Sequence, residues 1–317
     1  MNEQGYSGTS ALLDLVVAAD WSTIETKRWM VRGERVGDGY VESPPEPVGD
    51  HKSLMARLRR TLPDDHGLLI GFDFPIGLPV EYALKVGVES FRTLLEDMVG
   101  PGEWERFYQM SDLPSLRQPF FPLPKQQSGN FRAQLALALG FPDLSTPRRR
   151  CEQKTTTRKA AECLFFTLGG AQVGAGAIVE WRDVIQPALA EAKLWPFDGD
   201  PRDTTRHARC HRRRDLSRRS LFAPWLSIGT GTGSTKTPRK ARQRATSHWL
   251  GDFDEGPIRL SSAARFWVEW GFLAEDDFDA MAGLLSMPQI VTKQRACQTP
   301  NTFDVTRIEG WILGQTC

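Results

Sequence analysis

The chain has 317 residues, with 40 Lys and Arg against 39 Asp and Glu, 40% hydrophobic side chains and 10% aromatics. That length and apolar content can bury a real core, which excludes a wholly disordered chain, and no run approaches the roughly 20 apolar residues of a membrane-spanning helix. The near-neutral total hides an asymmetry: residues 201–250 hold 13 Lys and Arg against two Asp, which leaves the rest of the chain with 27 basic and 37 acidic residues.

The opening MNEQGYSGTS lacks the charged-then-apolar layout of a secretion signal, so a cytoplasmic protein is expected. Five cysteines (Cys151, Cys163, Cys210, Cys297, Cys317) are odd in number, scattered and without CxxC spacing, which predicts reduced thiols. Leu12 to Ala19 reads as a fully buried strand, because continuous Leu, Val and Ala without alternation suits a position covered on both faces. Lys27–Arg32 and Gly39–Glu42 are the next two strand candidates, separated by the turn-like GERVGDG, and together the three suggest a meander. Asp50 can cap a helix with Leu54, Met55, Leu58 and Leu62 on one face and Arg57, Arg59 and Arg60 on the other, ended by Pro63. Gly67–Phe72 is a second buried strand, and PIGLP after Asp73 drives the backbone out of the sheet.

From Val80 to about Arg150 the pattern loosens into short helical pieces and Pro-rich loops, read as an insertion (80–150) that covers the site. AGAIVEWRDVIQPALAEA is mostly helical with a kink at Pro187. Ser261 and Ser262 precede the helix AARFWVEWGF, and AEDDFDAMAGLLSM forms a second amphipathic helix.

Asp20 and Asp73 each end an apolar run, so neighbouring strands would bring two carboxylates to one sheet edge. Asp276 and Asp279, three residues apart on a helical face, could join them. Like charges so close are costly unless a cation neutralises them, which points to Mg²⁺ or Mn²⁺ held by Asp20, Asp73 and Asp279, with all four aspartates catalytic in hydrolysis of a phosphodiester. The competing reading is structural: an Asp at a strand end caps a turn, and acidic residues at a helix start complement its dipole.

AADWS, GFDFPIGLP, the block RRRCEQKTTTRKAAECLFFTLGGAQVGAGAIVEW, WPFDG and the closing RIEGWILGQ resemble the domain-of-unknown-function family 429, described as predicted nucleases with an RNase H-like fold. The likeness covers residues 12–200 and 251–315. It implies a single α/β, RNase H-like three-layer domain over 1–317, with a mixed central sheet of order 3-2-1-4-5 and helical insertions, in which the strands of Asp20 and Asp73 are neighbours. DDFDA also resembles the carboxyl-terminal D-x-x-DA of RuvC-type resolvases, matching Asp276 and Asp279. The same resemblance implies that Arg148, Arg149, Arg150, Glu152 and Gln172 line the substrate side of the cleft, where arginine forks suit phosphate oxygens.

The basic segment 203–248 departs from that likeness. A zinc site at His207, Cys210 and His211 lacks a second half, and GTGTGSTK does not fit a phosphate loop. Reverse-translating His211–Arg219 with permitted codons and reading one nucleotide later can give Ile-Val-Ala-Glu-Thr-Tyr-Pro-Ala-Glu, which resembles the family's next strand. This suggests a frameshifted stretch and, with a core strand and its carboxylate lost, an inactive copy. A genuine segment would instead be a basic arm for nucleic acid. The resulting expectation is a metal-dependent nuclease or phosphodiesterase with nucleic acid as partner. The rivals are a non-catalytic nucleic-acid-binding or regulatory protein on the same fold, and an actin-like ATPase or kinase-type phosphotransferase.

Overall fold

The computed structural model describes residues 13–64, 66–123, 129–155, 159–168, 173–199, 219–224, 238–246, 250, 258–292 and 299–315. Strands β1 (Leu15–Asp20) and β5 (Gly67–Phe72) are buried at every position, as their unbroken apolar runs require of strands covered on both faces, and they pair in parallel from Leu15↔Leu68 to Ala19↔Phe72. Antiparallel to β1 lies β2 (Trp29–Val36), which turns at Gly37 (φ 63°) into β3 (Gly39–Glu42). The meander is therefore present, but β2 extends four residues beyond the expected Arg32 and only Gly37 and Asp38 form the turn. The two-residue β4 (Glu46–Pro47) pairs with β2.

Three further strands complete the sheet: β6 (Ala192–Leu194), β7 (Arg219–Pro224) and β8 (Ile258–Leu260). The order is β6-β7-β5-β1-β2-β3-β8, with parallel pairs at β1–β5, β5–β7, β6–β7 and β3–β8. The molecule is thus α/β with a mixed, partly parallel sheet. The position beside β5 is filled by β7, from within the anomalous basic segment.

Each sheet face has its own core. Leu15, Val17, Ala19, Leu68, Ile70 and Phe72 point to one side, Val16, Ala18, Val31, Tyr40 and Leu69 to the other, as the two-residue repeat of a strand demands. The first face is covered by α1 (Leu54–Arg60), α2 (Val80–Val86), α3 (Phe91–Asp97), α4 (Phe131–Ala138) and α5 (Val173–Glu180). Within residues 80–150, Phe91, Leu94, Phe107, Phe120, Phe121 and Leu135 are buried in the same cluster as the sheet. Asp50 caps a short 3₁₀ turn ahead of α1, accepting from the Lys52 N–H, and the Arg57 guanidinium turns back to the Val48 carbonyl instead of facing solvent.

Behind α5 the helix widens into a π turn over Trp181–Ile185. Pro187 accounts for this, since its ring crowds the carbonyl four residues earlier and it has no N–H to return, so the kink expected there falls on the preceding turn.

The second face carries α6 (Arg239–Thr246), α7 (Ser262–Trp270) and α8 (Glu275–Val291). Ser261 caps α7 by accepting from the Ala264 N–H, and Gly271 (φ 88°) ends it. The exposed carbonyls of that end are not left to water. Arg242 of α6 is buried and donates to the Gly271, Phe272 and Leu273 carbonyls, so part of the basic segment serves helix capping. Asp277 is buried at the start of α8, accepting from the Leu273 and Ala274 N–H groups at 2.7 and 2.9 Å.

No helix among the described residues is long and apolar enough to cross a membrane. His207, Cys210, His211 and the Gly-rich 229–236 lie outside the described residues.

Candidate functional site: carboxylates at the sheet edge

Parallel β1 and β5 end side by side, which places Asp20 and Asp73 at the same carboxyl-terminal edge. Asp20 is the last residue of β1 and is buried; Asp73, the first residue after β5, keeps solvent access. The Asp20 side chain reaches Asp73 and favours its charged form. The Trp21 N–H donates to Asp73 Oδ1 at 2.9 Å. Asp279, buried on α8 where that helix crosses β1, adds its negative charge to the pair.

Three remote segments therefore bring their aspartates together. Loss of water around its carboxyl is the main cause that pushes Asp73 up to about 7, with the repulsion of Asp279 in the same direction and the Trp21 N–H opposing. Although the residue is exposed, protein groups crowd the carboxyl itself. Asp276 sits one turn before Asp279, half-exposed in the first turn of α8.

A fourth carboxylate belongs to this cluster and escapes sequence reasoning. Glu180, the last residue of α5, is fully buried, and no donor among the described residues reaches either of its oxygens. Burial drives its carboxyl well above the ordinary range, with the Asp73 charge adding to the shift and Arg28 opposing it. Its signal in the sequence is an acidic residue inside the apolar helix AGAIVEW, a position a Glu occupies only with a reason.

Around the carboxylates stand groups from the β1–β2 loop and the π turn. Arg28 is buried over the Trp21 ring, 5.2 Å from its centroid, and donates to the Ser22 carbonyl. Trp21 meets His51 edge-on at 6.3 Å, and His51 Nε2 lies 3.2 Å from Asp183 Oδ2. Arg182 donates to both oxygens of Asp183, which with the His51 contact holds that carboxyl down at about 2.

The loop after Asp73 is clamped by buried groups from elsewhere in the chain. The Trp181 indole N–H donates to the Pro75 carbonyl (2.7 Å), Arg149 to the Ile76 carbonyl (3.1 Å), and the Leu78 N–H to the Ile308 carbonyl (2.9 Å). Glu309 accepts from the Val80 and Arg150 N–H groups. The crossing of this loop with residues 309–310 is so close that a Cβ at Gly77 (φ 130°) would lie 2.1 Å from the Glu309 carbonyl oxygen.

The residues expected to face substrate divide. Arg149 and Glu152 lie in the interior, paired with each other at 2.7–2.8 Å, because the guanidinium is needed for the Ile76 and Glu309 carbonyls. Arg148 is half-buried beside Glu162 and Cys163. Arg150 has an exposed side chain, and Gln172 lies outside the described residues. Cys151 and Cys163 are buried, and burial pushes the Cys163 thiol up to about 12, so it is inert.

Among the described residues no group of three or more His, Cys, Asp or Glu side chains is placed so that it could hold a metal ion. Compared with protein-family models, curated proteins and solved structures, the chain matches none of them.

Proposed function

We propose that this chain is an RNase H-like, divalent-metal-dependent phosphodiesterase acting on nucleic acid. The observation that carries the reading is the meeting of Asp20, Asp73, Asp279 and Glu180 at the carboxyl edge of the sheet, the position where open α/β sheets bind their ligands. The inner strands support the fold assignment. With edge strands β6 and β8 and the two-residue β4 set aside, β3-β2-β1-β5-β7 follows the 3-2-1-4-5 order in chain sequence.

The donor atoms are of the kind that a hard divalent cation takes. All four groups offer carboxylate oxygen, Glu180 has two buried oxygens that no donor among the described residues satisfies, and Asp73 is repelled by Asp279. Asp20, Asp73, Asp279 and Glu180 would hold Mg²⁺ or Mn²⁺, which when bound supplies charge neutralisation and water activation. Arg28 partly offsets the charge of Glu180, and the exposed Arg150 offers a fork to phosphate oxygens. The net-basic residues 201–250 would draw a polyanion toward the molecule.

The test is cleavage of single- and double-stranded DNA and RNA with Mg²⁺ or Mn²⁺, with and without EDTA. Asp73→Asn is expected to abolish cleavage and leave the circular dichroism of the protein unchanged, since an amide fills the same volume at an exposed position. Activity that survives EDTA or this substitution ends the proposal. Nucleic-acid binding indifferent to EDTA, without cleavage, selects the non-catalytic reading, and nucleotide-induced stabilisation with ATP hydrolysis selects the actin-like one.

A further inference from the structure

Asp73 is the first residue after β5, and a free loop there would let it swing away from Asp20 and Asp279 through a few backbone dihedrals. The loop cannot do so. The Pro75 and Ile76 carbonyls are held by the indole of Trp181 and the guanidinium of Arg149, both buried, so water does not compete for these bonds. Arg149 is in turn fixed by Glu152, and also donates to the Glu309 carbonyl at 3.2 Å on the far side of the crossing. Its Nε, Nη1 and Nη2 all bond protein groups in the interior, which leaves it out of reach of a phosphate and points to a different use.

We propose that Arg149 and Trp181 are positioning residues: by pinning the Pro75 and Ile76 carbonyls in the loop after Asp73 they hold its carboxyl against Asp20 and Asp279, and neither touches substrate. The catalytic consequence rests on the proposed function; the structural one does not. A purely stabilising role would weaken the whole sheet evenly, whereas a positioning role acts first on Asp73.

The Trp21 N–H that donates to Asp73 Oδ1 reports this with neither substrate nor metal present. Amide hydrogen exchange is to be measured on the full chain and on Arg149→Lys and Trp181→Phe. In the variants the Trp21 amide is expected to speed up at least about tenfold more than the amides of β1 and β5. Cleavage in Mn²⁺ should lose kcat while KM stays within about threefold. If Trp21 and the strand amides change by one common factor, the two side chains serve stability alone and the proposal falls, whatever the cleavage assay gives. A wild-type protein that cleaves nothing removes the nuclease reading and leaves the exchange comparison to decide. Should Arg149→Lys fail to fold, Trp181→Phe, which keeps an aromatic ring and drops the N–H, carries the same comparison.

Discussion

Glu42 shows how much a single buried carboxyl can cost when nothing answers it. It lies at the end of β3 on the α8 side of the sheet, fully buried, with no donor among the described residues to either oxygen, and burial drives its carboxyl well above the ordinary range. A raised carboxyl means that the folded protein holds a proton there which the unfolded chain releases near pH 4, so its stability contribution is complete in acid and declines as the pH climbs above that value. Replacing it by a side chain with no polar atom removes the burden. Glu42→Met is expected to raise stability at pH 8 by about 1–3 kcal/mol and by less at pH 4, read from thermal unfolding at the two values. An equal gain at both would mean packing, not charge, is responsible. Asp73 follows the same sign with a weaker claim on stability, because the residue is exposed: Asp73→Asn should raise Tm at pH 8, where the wild-type group is ionised beside Asp279, and leave it unchanged at pH 5. Glu42 does not declare itself in the sequence as a liability, and Glu180 shows only as an acidic residue inside an apolar helix. Asp20 and Asp73 declare themselves, because each terminates an apolar run, whereas the two glutamates take their character from neighbours far away along the chain.

At the scale of elements, what could be read in advance is what local pattern decides. β1 and β5 are legible because an unbroken buried run has few alternatives, and α7 because a Ser cap and a terminal Gly bracket it. Residues 80–150 are not. Their helices are only seven or eight residues long, too short to be stable alone, and are held by an aromatic cluster in which Phe107 stacks on Trp181 at 6.4 Å and meets Phe120 edge-on at 5.4 Å. The burial of Arg149 is illegible for a related reason, since nothing local shows the chain crossing that consumes one of three consecutive arginines. That crossing makes a sharp prediction. Gly77 has no room for a side chain and a backbone open chiefly to glycine, so Gly77→Ala should destabilise by more than about 3 kcal/mol in chemical denaturation. Gly37 also has a positive φ, 63°, but nothing lies within 4 Å of its missing Cβ, and Gly37→Asn should cost under about 1 kcal/mol. Similar losses at both would show that the approach of residues 77 and 309 is not what makes Gly77 necessary.

For the molecule as a whole, the carboxylate cluster couples folding to cations. Four acidic groups from β1, the loop after β5, α5 and α8 meet only in the folded chain, so an ion that binds them binds the native state and not the unfolded one. Such an ion at a hundred times its Kd raises the free energy of unfolding by about 2.7 kcal/mol, which thermal unfolding resolves easily. The pH dependence has a definite direction. Asp73, pushed up to about 7, carries a proton in the native protein below that value, and an incoming cation must displace it. From about pH 4 to 7 the metal-free protein loses stability as Asp73 is forced toward its charged form, and the same deprotonation opens the cluster to cations. The rise in Tm produced by Mn²⁺ should therefore be larger at pH 8 than at pH 6, should saturate with concentration, and should vanish in Asp20→Asn and Asp73→Asn, both of which keep the volume and remove a charge. A rise of equal size at the two pH values, or one that persists in both variants, would place the ion elsewhere on the molecule and break the link between these four carboxylates and metal.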